Sequence, residues 1–488
     1  MRLHPATPLV GLTLGGTFVA CGLAMLACAT MGAVGDGRAI AALALPGAGT
    51  LALGALALGR STRTLRRGLM VPPVAGLLAV TLAWVGAGLA GAIPFLAAGS
   101  FSSLLDAFFE STSGFTTTGA TLLADIEGQP DAILAWRSVS QWLGGVGIVV
   151  VVVAIAPVSG IGVQRAFYAE TSGITSDRLT PRIIDTAKII ATVYLVLSFA
   201  AGVAYALAGM SVFDAANHAM TTIATGGFST RNASIAAFDA LSIELVAILF
   251  MTVAGVNFAF YWRAIRRQPL MPQGAEVRAF LVILVAASAA IALSLLLADD
   301  VSGGGSALRE GVFSATSIMT TTGYTTADFD AWNSFAKMAL LLLMTAGACA
   351  GSTAGGIKVI RVLLLGKAAQ QELDRQLQPT AVRVLRLGRH TYSEDVRRAV
   401  LGFFLVYSLI YVAGSLAMTA SGLDLVSAVS SVAATLNVIG PGVGDVGATD
   451  NYEAVPAFGR ALLPVLMIAG RLEVFTVVAL LTAVFRRR

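Results

Sequence analysis

Thr116-Thr117-Thr118-Gly119-Ala120 has three relatives further along the chain: Ala224-Thr225-Gly226-Gly227-Phe228, Thr320-Thr321-Thr322-Gly323-Tyr324 and Asn437-Val438-Ile439-Gly440-Pro441. Each follows a short apolar segment that carries Ser, Thr or Ala. Each has a glycine at its fourth position, which opens backbone angles closed to other residues. The four stretches recur about 100 residues apart, and self-similarity of that kind marks repeated structural units. Four loops in one register predict a pseudo-fourfold object.

The flanking segments say where the loops sit. Met70–Leu96 is long enough to cross a membrane, which takes about 20 apolar residues in a helix. Ser102–Ser113 is too short to cross, and Ala132–Ile155 is long enough again. The same order of span, half-span, loop and span recurs with Ile183–Ala208, Val212–Ile223 and Leu241–Ala264. It recurs twice more, with Val277–Ala298, Ala307–Met319 and Phe335–Leu365, then with Val396–Ala420, Val426–Leu436 and Phe458–Phe485. Non-helical backbone at membrane depth is tolerated only inside protein or beside water. The predicted fold class is therefore an all-α integral membrane protein of four helix–pore loop–helix repeats, preceded by two extra transmembrane helices. The units are residues 1–67 (two leading helices), 68–165, 166–270, 271–370, a cytoplasmic connection 371–393, and 394–488. That makes ten spans and four re-entrant helices.

Composition agrees. Of 488 residues, 56% are hydrophobic and 12% charged, and mean hydropathy is +0.81. Soluble domains carry about 25% charged residues. Pro8–Val34 is too long and too weakly flanked for a cleaved signal peptide, and reads as a retained span. The net charge of +5 is no nucleic-acid signal, because topology explains where the basic residues lie. Arg60, Arg63, Arg66 and Arg67, then Arg165, Arg178 and Arg182, then Arg263, Arg266, Arg267 and Arg278 follow inward-running spans. So do the basic residues between Lys358 and Arg398, and the terminal Arg486-Arg487-Arg488. By the positive-inside rule these loops and the amino terminus are cytoplasmic. The pore-loop side carries acids instead, among them Asp106, Glu110, Asp125, Asp214, Glu244, Asp330, Asp450 and Glu453. Clustered carboxylates raise the local cation concentration, although for any single acid an ordinary solvated position is the simpler reading.

Cys21, Cys28 and Cys349 have no metal-ligand or disulfide spacing, and His4, His218 and His390 form no ligand cluster. No nucleophile–base pair or metal set lies in a span, so an intramembrane enzyme is disfavoured. The connection Gln370–Glu394 contains Pro379 and mixed charge, and is expected to include a short surface helix. It reads equally as a linker and as a docking site for a soluble partner.

The chemistry of four such loops is that of an ion filter. Carbonyl oxygens on ordered loops can replace the water shell of K⁺. The candidate potassium-binding residues are Thr117, Thr118 and Gly119, then Thr225, Gly226 and Gly227, then Thr321, Thr322 and Gly323, then Val438, Ile439 and Gly440. Threonine hydroxyls add oxygens and anchor the loops. Each half-span ends at its loop, so four helix carboxyl ends with partial negative charge would converge on a cation. The fourth loop departs most, with Asn437, Ile439 and Pro441 in place of Thr and an aromatic.

These loops resemble those of the TrkH branch of the Trk/Ktr/HKT potassium transporters, through Thr116–Thr121, Ala224–Thr230, Thr320–Thr326 and Asn437–Gly444. Gln141-Trp142-Leu143-Gly144-Gly145 and Gly351-Ser352-Thr353-Ala354-Gly355-Gly356-Ile357-Lys358 are similar to that branch too. The likeness covers nearly the whole chain. It implies a homodimer with one pore per protomer, a cytoplasmic nucleotide-binding partner of the TrkA type, K⁺ as the ion and a bacterial inner-membrane location. It implies no organic cofactor in this chain.

Gly347, Gly351, Gly355 and Gly356 interrupt the third returning span, where each costs about 1 kcal/mol against alanine in a continuous helix. They read either as a close helix crossing through small residues or as a flexible loop that gates the pore. Ser352, Thr353 and Lys358, with the resemblance, favour the gate. Arg471 and Glu473 lie two apart in the last predicted span, where charge is expensive and usually functional. The resemblance implies that Arg471 points into the pore near the glycine loop; pairing with a carbonyl or another span is the alternative. A cation-coupled secondary transporter with broken helices is the rival reading, and would need an inverted repeat. Here the repeats share one orientation.

Overall fold

Apolar runs become helices in a membrane because only internal hydrogen bonding satisfies their backbone there. The computed structural model of this chain describes residues 7–31, 37–65, 73–155, 183–268, 273–301, 303–378, 384–387 and 390–474. The Arg66–Arg67 pair, the loop arginines Arg165, Arg178, Arg182, Arg383 and Arg389, and the terminal arginines lie outside the described residues.

The leading pair is α1 (Thr7–Met31) and α2 (Gly37–Leu65). The first unit has α3 (Pro73–Ala98), α4 (Leu104–Thr116) and α5 (Asp131–Ile155). The second has α6 (Ile183–Leu207), α7 (Val212–Ile223), α8 (Leu241–Ala254) and α9 (Phe258–Ile265). The third has α10 (Gln273–Leu297), α11 (Gly304–Met319), α12 (Ser334–Ala346) and α13 (Val359–Leu377). An antiparallel hairpin of β1 (Leu385–Leu387) and β2 (His390–Tyr392) follows. The last unit has α14 (Glu394–Ala420), α15 (Leu425–Leu436) and α16 (Ala457–Arg471).

Among the described residues, six helices are long and apolar enough to cross a membrane: α1, α2, α3, α6, α10 and α14. Together with the family evidence given below, they make this a multi-pass membrane protein. Their outward faces are apolar, with Leu53, Phe199, Val282 and Leu405 exposed on α2, α6, α10 and α14.

The returning segments differ from ten uniform spans. The second bends by 87° between α8 and α9. At the bend the Gly255 carbonyl accepts from Cys349 N and Phe258 N donates to Gly351 O, so backbone of another unit wedges into the break. The third is broken by residues 347–358, where Gly347, Gly351 and Gly356 all have positive φ. The fourth leaves helical geometry after Arg471, with Glu473 and Val474 at positive φ. The rest of the predicted span to Phe485 lies outside the described residues. In the connection after residue 370, α13 runs to Leu377 and the hairpin follows; among the described residues no separate surface helix lies there.

The short helices α4, α7, α11 and α15 lie where half-spans are expected. Ser103, Ser211 and Asp424 cap α4, α7 and α15 through side-chain oxygens that accept backbone amides, which removes orphan donors at a helix start. The carboxyl halves of all four short helices are buried although rich in Ser and Thr. Hydroxyls of Thr116, Thr221, Thr320 and Thr435 donate to the carbonyl four residues earlier, so these polar groups are satisfied without water.

Candidate functional site

Each short helix ends in the same hydrogen-bonded closure. Thr118 N bonds Ser113 O and Thr117 N bonds Gly114 O. The pattern recurs with Gly226 on Thr221 and Thr225 on Thr222, with Thr322 on Ser317 and Thr321 on Ile318, and with Ile439 on Ala434 and Val438 on Thr435. This is the Schellman closure, which needs a left-handed residue just past the helix and normally takes glycine there. Here that residue is Thr117 (φ 60°), Thr225 (φ 52°), Thr321 (φ 56°) or Val438 (φ 61°). Left-handed backbone is costly for β-branched residues. The signal available in the sequence was a β-branched residue two places before each glycine, and propensity alone reads it as ordinary.

The glycines follow with φ of 83° at Gly119, 77° at Gly227, 83° at Gly323 and 106° at Gly440. They lie against one another in cyclic order. A Cβ on Gly119 would come 2.2 Å from Gly226 O, and one on Gly227 would come 2.0 Å from Thr322 O. One on Gly323 would come 1.9 Å from Ile439 O, and one on Gly440 would come 2.8 Å from Thr118 O. Each loop's glycine thus packs on the next loop's carbonyl, and the fourth closes on the first. All four trios of candidate residues are brought together around one axis. Thr118, Thr322 and Ile439 are buried, and among the described residues no donor meets their carbonyl oxygens. The Gly226 carbonyl differs, accepting from Gln141 Nε2 at 2.6 Å, while Gln141 Oε1 takes Phe228 N at 3.1 Å.

The supports behind the ring are unlike one another. Between the first and second loops, Glu110 and Arg137 are a fully buried ion pair at 3.0 Å. Glu110 also accepts from Thr121 Oγ1 and Leu122 N, at 2.9 Å each for the closer contacts. Arg137 donates to Ser229 O at 2.9 Å and lies 4.1 Å over the Phe228 ring. Between the second and third, the Tyr324 hydroxyl meets Thr221 Oγ1 at 2.5 Å and donates to His218 O at 3.2 Å. Between the third and fourth, Asp330 Oδ1 accepts Gly444 N at 2.9 Å. Burial there lifts the Asp330 carboxyl above the ordinary range, against that amide. Between the fourth and first, Tyr452 N donates to Thr121 O at 2.9 Å and its hydroxyl to Gly440 O at 2.7 Å.

The outer acids are not uniformly solvated. Glu110, Asp214 and Glu244 are buried, because Arg137, Arg231 and Arg309 reach them from neighbouring elements. Asp106 is likewise paired with Arg460 at 2.7 Å.

On the other side of the ring, residues 347–358 touch the second, third and fourth units. Thr353 Oγ1 donates to Ile223 O at 2.9 Å, below the second loop. Gly355 N donates to Thr321 Oγ1 at 2.7 Å, below the third. A Cβ on Gly355 would lie 2.2 Å from Asn437 O, below the fourth. Gly351 lies against Asn257 in the α8–α9 break, Gly356 packs on Gly347, and Ser352 turns its hydroxyl back to Cys349 O at 2.7 Å. Arg471 completes the set: Nη1 donates to Thr353 O at 2.8 Å and Nη2 to Gly144 O at 2.9 Å, which reaches the first unit. Arg471 is therefore carbonyl-bound, at the last turn of α16. Glu473 leaves the helix and pairs with Arg361.

Residues 74–485 match the family model TrkH, described as a cation transport protein. A Trk system potassium uptake protein TrkH from Vibrio parahaemolyticus is 42% identical over 418 residues, 84% of this chain and 86% of that protein. The protein of the same name from Escherichia coli K12 is 40% identical over 416 residues, 84% of this chain and 86% of the other. The crystal structure of the potassium transporter TrkH from Vibrio parahaemolyticus superposes with a TM-score of 0.86 at 38% identity, covering 99% of this chain and 100% of that one.

Proposed function

This chain belongs to the TrkH family of cation transport proteins, and on that premise we propose that it is a potassium uptake subunit of a Trk-type system, conducting K⁺ through the ring of four loops. The relatives' names support potassium uptake. The observation that carries the filter reading is the cyclic packing of glycine on carbonyl. It brings buried carbonyls around one axis, the arrangement that can exchange for a K⁺ hydration shell. Four helix carboxyl ends, each worth about half a negative charge, point the same way. The filter residues are the twelve from Thr117–Gly119, Thr225–Gly227, Thr321–Gly323 and Val438–Gly440.

Gly351, Ser352, Thr353, Gly355 and Gly356 with Arg471 form the proposed gate. Hydrogen bonds from this loop to carbonyl and hydroxyl groups directly below the ring support the reading. Arg471 places a positive charge by the ion's route. The protein works as an inner-membrane homodimer with a cytoplasmic TrkA-type partner. Arg386 on β1, exposed to solvent, with Arg383 and Arg389, is a surface for that partner. Transport rather than catalysis is the chain's role. The repeated closure at one end of each short helix favours direct over inverted repetition, and so a pore over a rocking transporter.

The test is ion flux into liposomes containing the purified chain, with reversal potentials measured between K⁺ and Na⁺. Flux that favours K⁺ with no imposed proton gradient is expected. Transport that requires a second coupled ion would replace this reading with the cation-coupled one.

A further inference from the structure

Glu276 sits in the first turn of α10 and is 1% exposed. Neither the ring nor the loop beneath it includes any residue of that helix. A buried carboxylate is expensive unless it is bonded and compensated. This one accepts Ala350 N at 2.7 Å and Ile360 N at 3.3 Å through the same oxygen. The first amide belongs to the glycine loop and the second to the opening turn of α13, directly after that loop. Lys358 at the helix's N-cap makes no side-chain cap. The free amide end of α13 thus takes its negative partner from another helix, as helix starts favour.

We infer that Glu276 is the positioning residue that fastens the 347–358 loop beneath the ring; this rests on the gate reading above. The contact holds two points of one flexible segment to a long helix that does not itself bend. The same turn of α13 carries Arg361, which pairs with Glu473 and lies 4.1 Å over the Phe403 ring of α14. Glu473 is two residues past Arg471, so α13 joins the loop to the end of α16. Releasing the Glu276 carboxylate frees Ala350 and the start of α13 together, and leaves the contacts of the ring above untouched.

The test uses the full-length chain in liposomes with Cys21→Ala and Cys28→Ala. Cys349, fully buried beside Ala350, is then its sole thiol, since the sequence has three cysteines. Two quantities are read: K⁺ flux, and the rate at which Cys349 reacts with a water-soluble methanethiosulfonate. Glu276→Gln should raise the thiol rate about tenfold or more and the flux severalfold, with the K⁺/Na⁺ reversal potential unchanged. That combination corresponds to about 1.4 kcal/mol or more of lost loop anchoring. Glu276→Asp, charged but too short to reach both amides, should fall between. Unchanged thiol rate and flux in both variants overturn the role of Glu276. So does raised flux with an unchanged thiol rate, or a reversal potential that shifts with the flux. A faster thiol with parental flux leaves the anchoring in place and refutes the gate reading instead.

Discussion

The ring and the loop beneath it hold their shape in opposite ways. The ring repeats one backbone four times: the same closure, the same left-handed residue, the same glycine on its neighbour's carbonyl. The loop occurs once and has no symmetry, and is fastened by Glu276, Thr353 and Arg471 to different helices. The ring is closed by backbone packed on backbone, whereas the loop adds side-chain bonds to its backbone contacts at Gly255 and Asn437. On the proposed reading, the first keeps a distance constant and the second lets go.

The largest test of this contrast is behind the ring. Arg137→Ala strands the buried Glu110 charge, and breaking a buried pair this way costs about 3–5 kcal/mol. A thermal midpoint in detergent should fall well below that of Glu110→Gln/Arg137→Met, in which no charge is left unpaired. Equal loss in both would mean that the pair fills space only. Next come the glycines. Gly323→Ser and Gly227→Ser, whose new atoms would land closest to a carbonyl, should lower K⁺ over Na⁺ preference about tenfold, since left-handed strain alone costs about 1–2 kcal/mol. Gly440→Ser, whose added atom would clash less closely, at 2.8 Å from Thr118 O, should lose less. Bi-ionic reversal potentials rank them, and selectivity that survives in all the folded variants removes the filter assignment.

The loop should answer in the other direction. Arg471→Ala, or shortening Gly351–Gly356, should raise flux severalfold, because a charge near the path is worth about 1 kcal/mol in water and several at lower dielectric. The two changes should fall short of additivity if they open one closed state. Monodisperse variants with parental or lower flux would assign these glycines to packing. The smallest effect concerns the hairpin. Reversing Arg383, Arg386 and Arg389 should weaken binding of a TrkA-type partner a fewfold, more at low salt than at high. A pull-down unchanged at both ionic strengths removes that surface.

Much of this contrast is legible in the sequence, and unevenly. Spans and half-spans follow from apolar length, and the four glycines from their register, because both are local properties. The residues that hold the ring are not local. Glu110 reads as one more outer acid until Arg137 is seen to reach it from the next helix. Gln141 stands in a recognisable stretch, but its bond to Gly226 spans 85 positions. The break at Gly255 escapes for a similar reason, since an apolar run with one glycine is an ordinary helix until Cys349 and Gly351 insert their backbone. Arg471 stands out in the sequence as a charge within an apolar run, yet its two carbonyl partners depend on how three units meet.

The broken returning segments also bear on how such a chain is made. α8 has 14 residues, α12 has 13 and α16 has 15. At 1.5 Å per residue these reach about 20 Å, against a hydrocarbon core of about 30 Å. Neither α8 nor α12 can be released into lipid as a finished span at the ribosome's pace, because its ends would carry bare peptide groups into hydrocarbon. Their insertion must wait for neighbours that cover those ends. α1, α2 and α3, each long enough to stand alone, emerge first and supply a wall for later pieces to settle against. In each later unit a helix long enough to cross alone, α6, α10 or α14, accompanies the broken segment and can cover its ends.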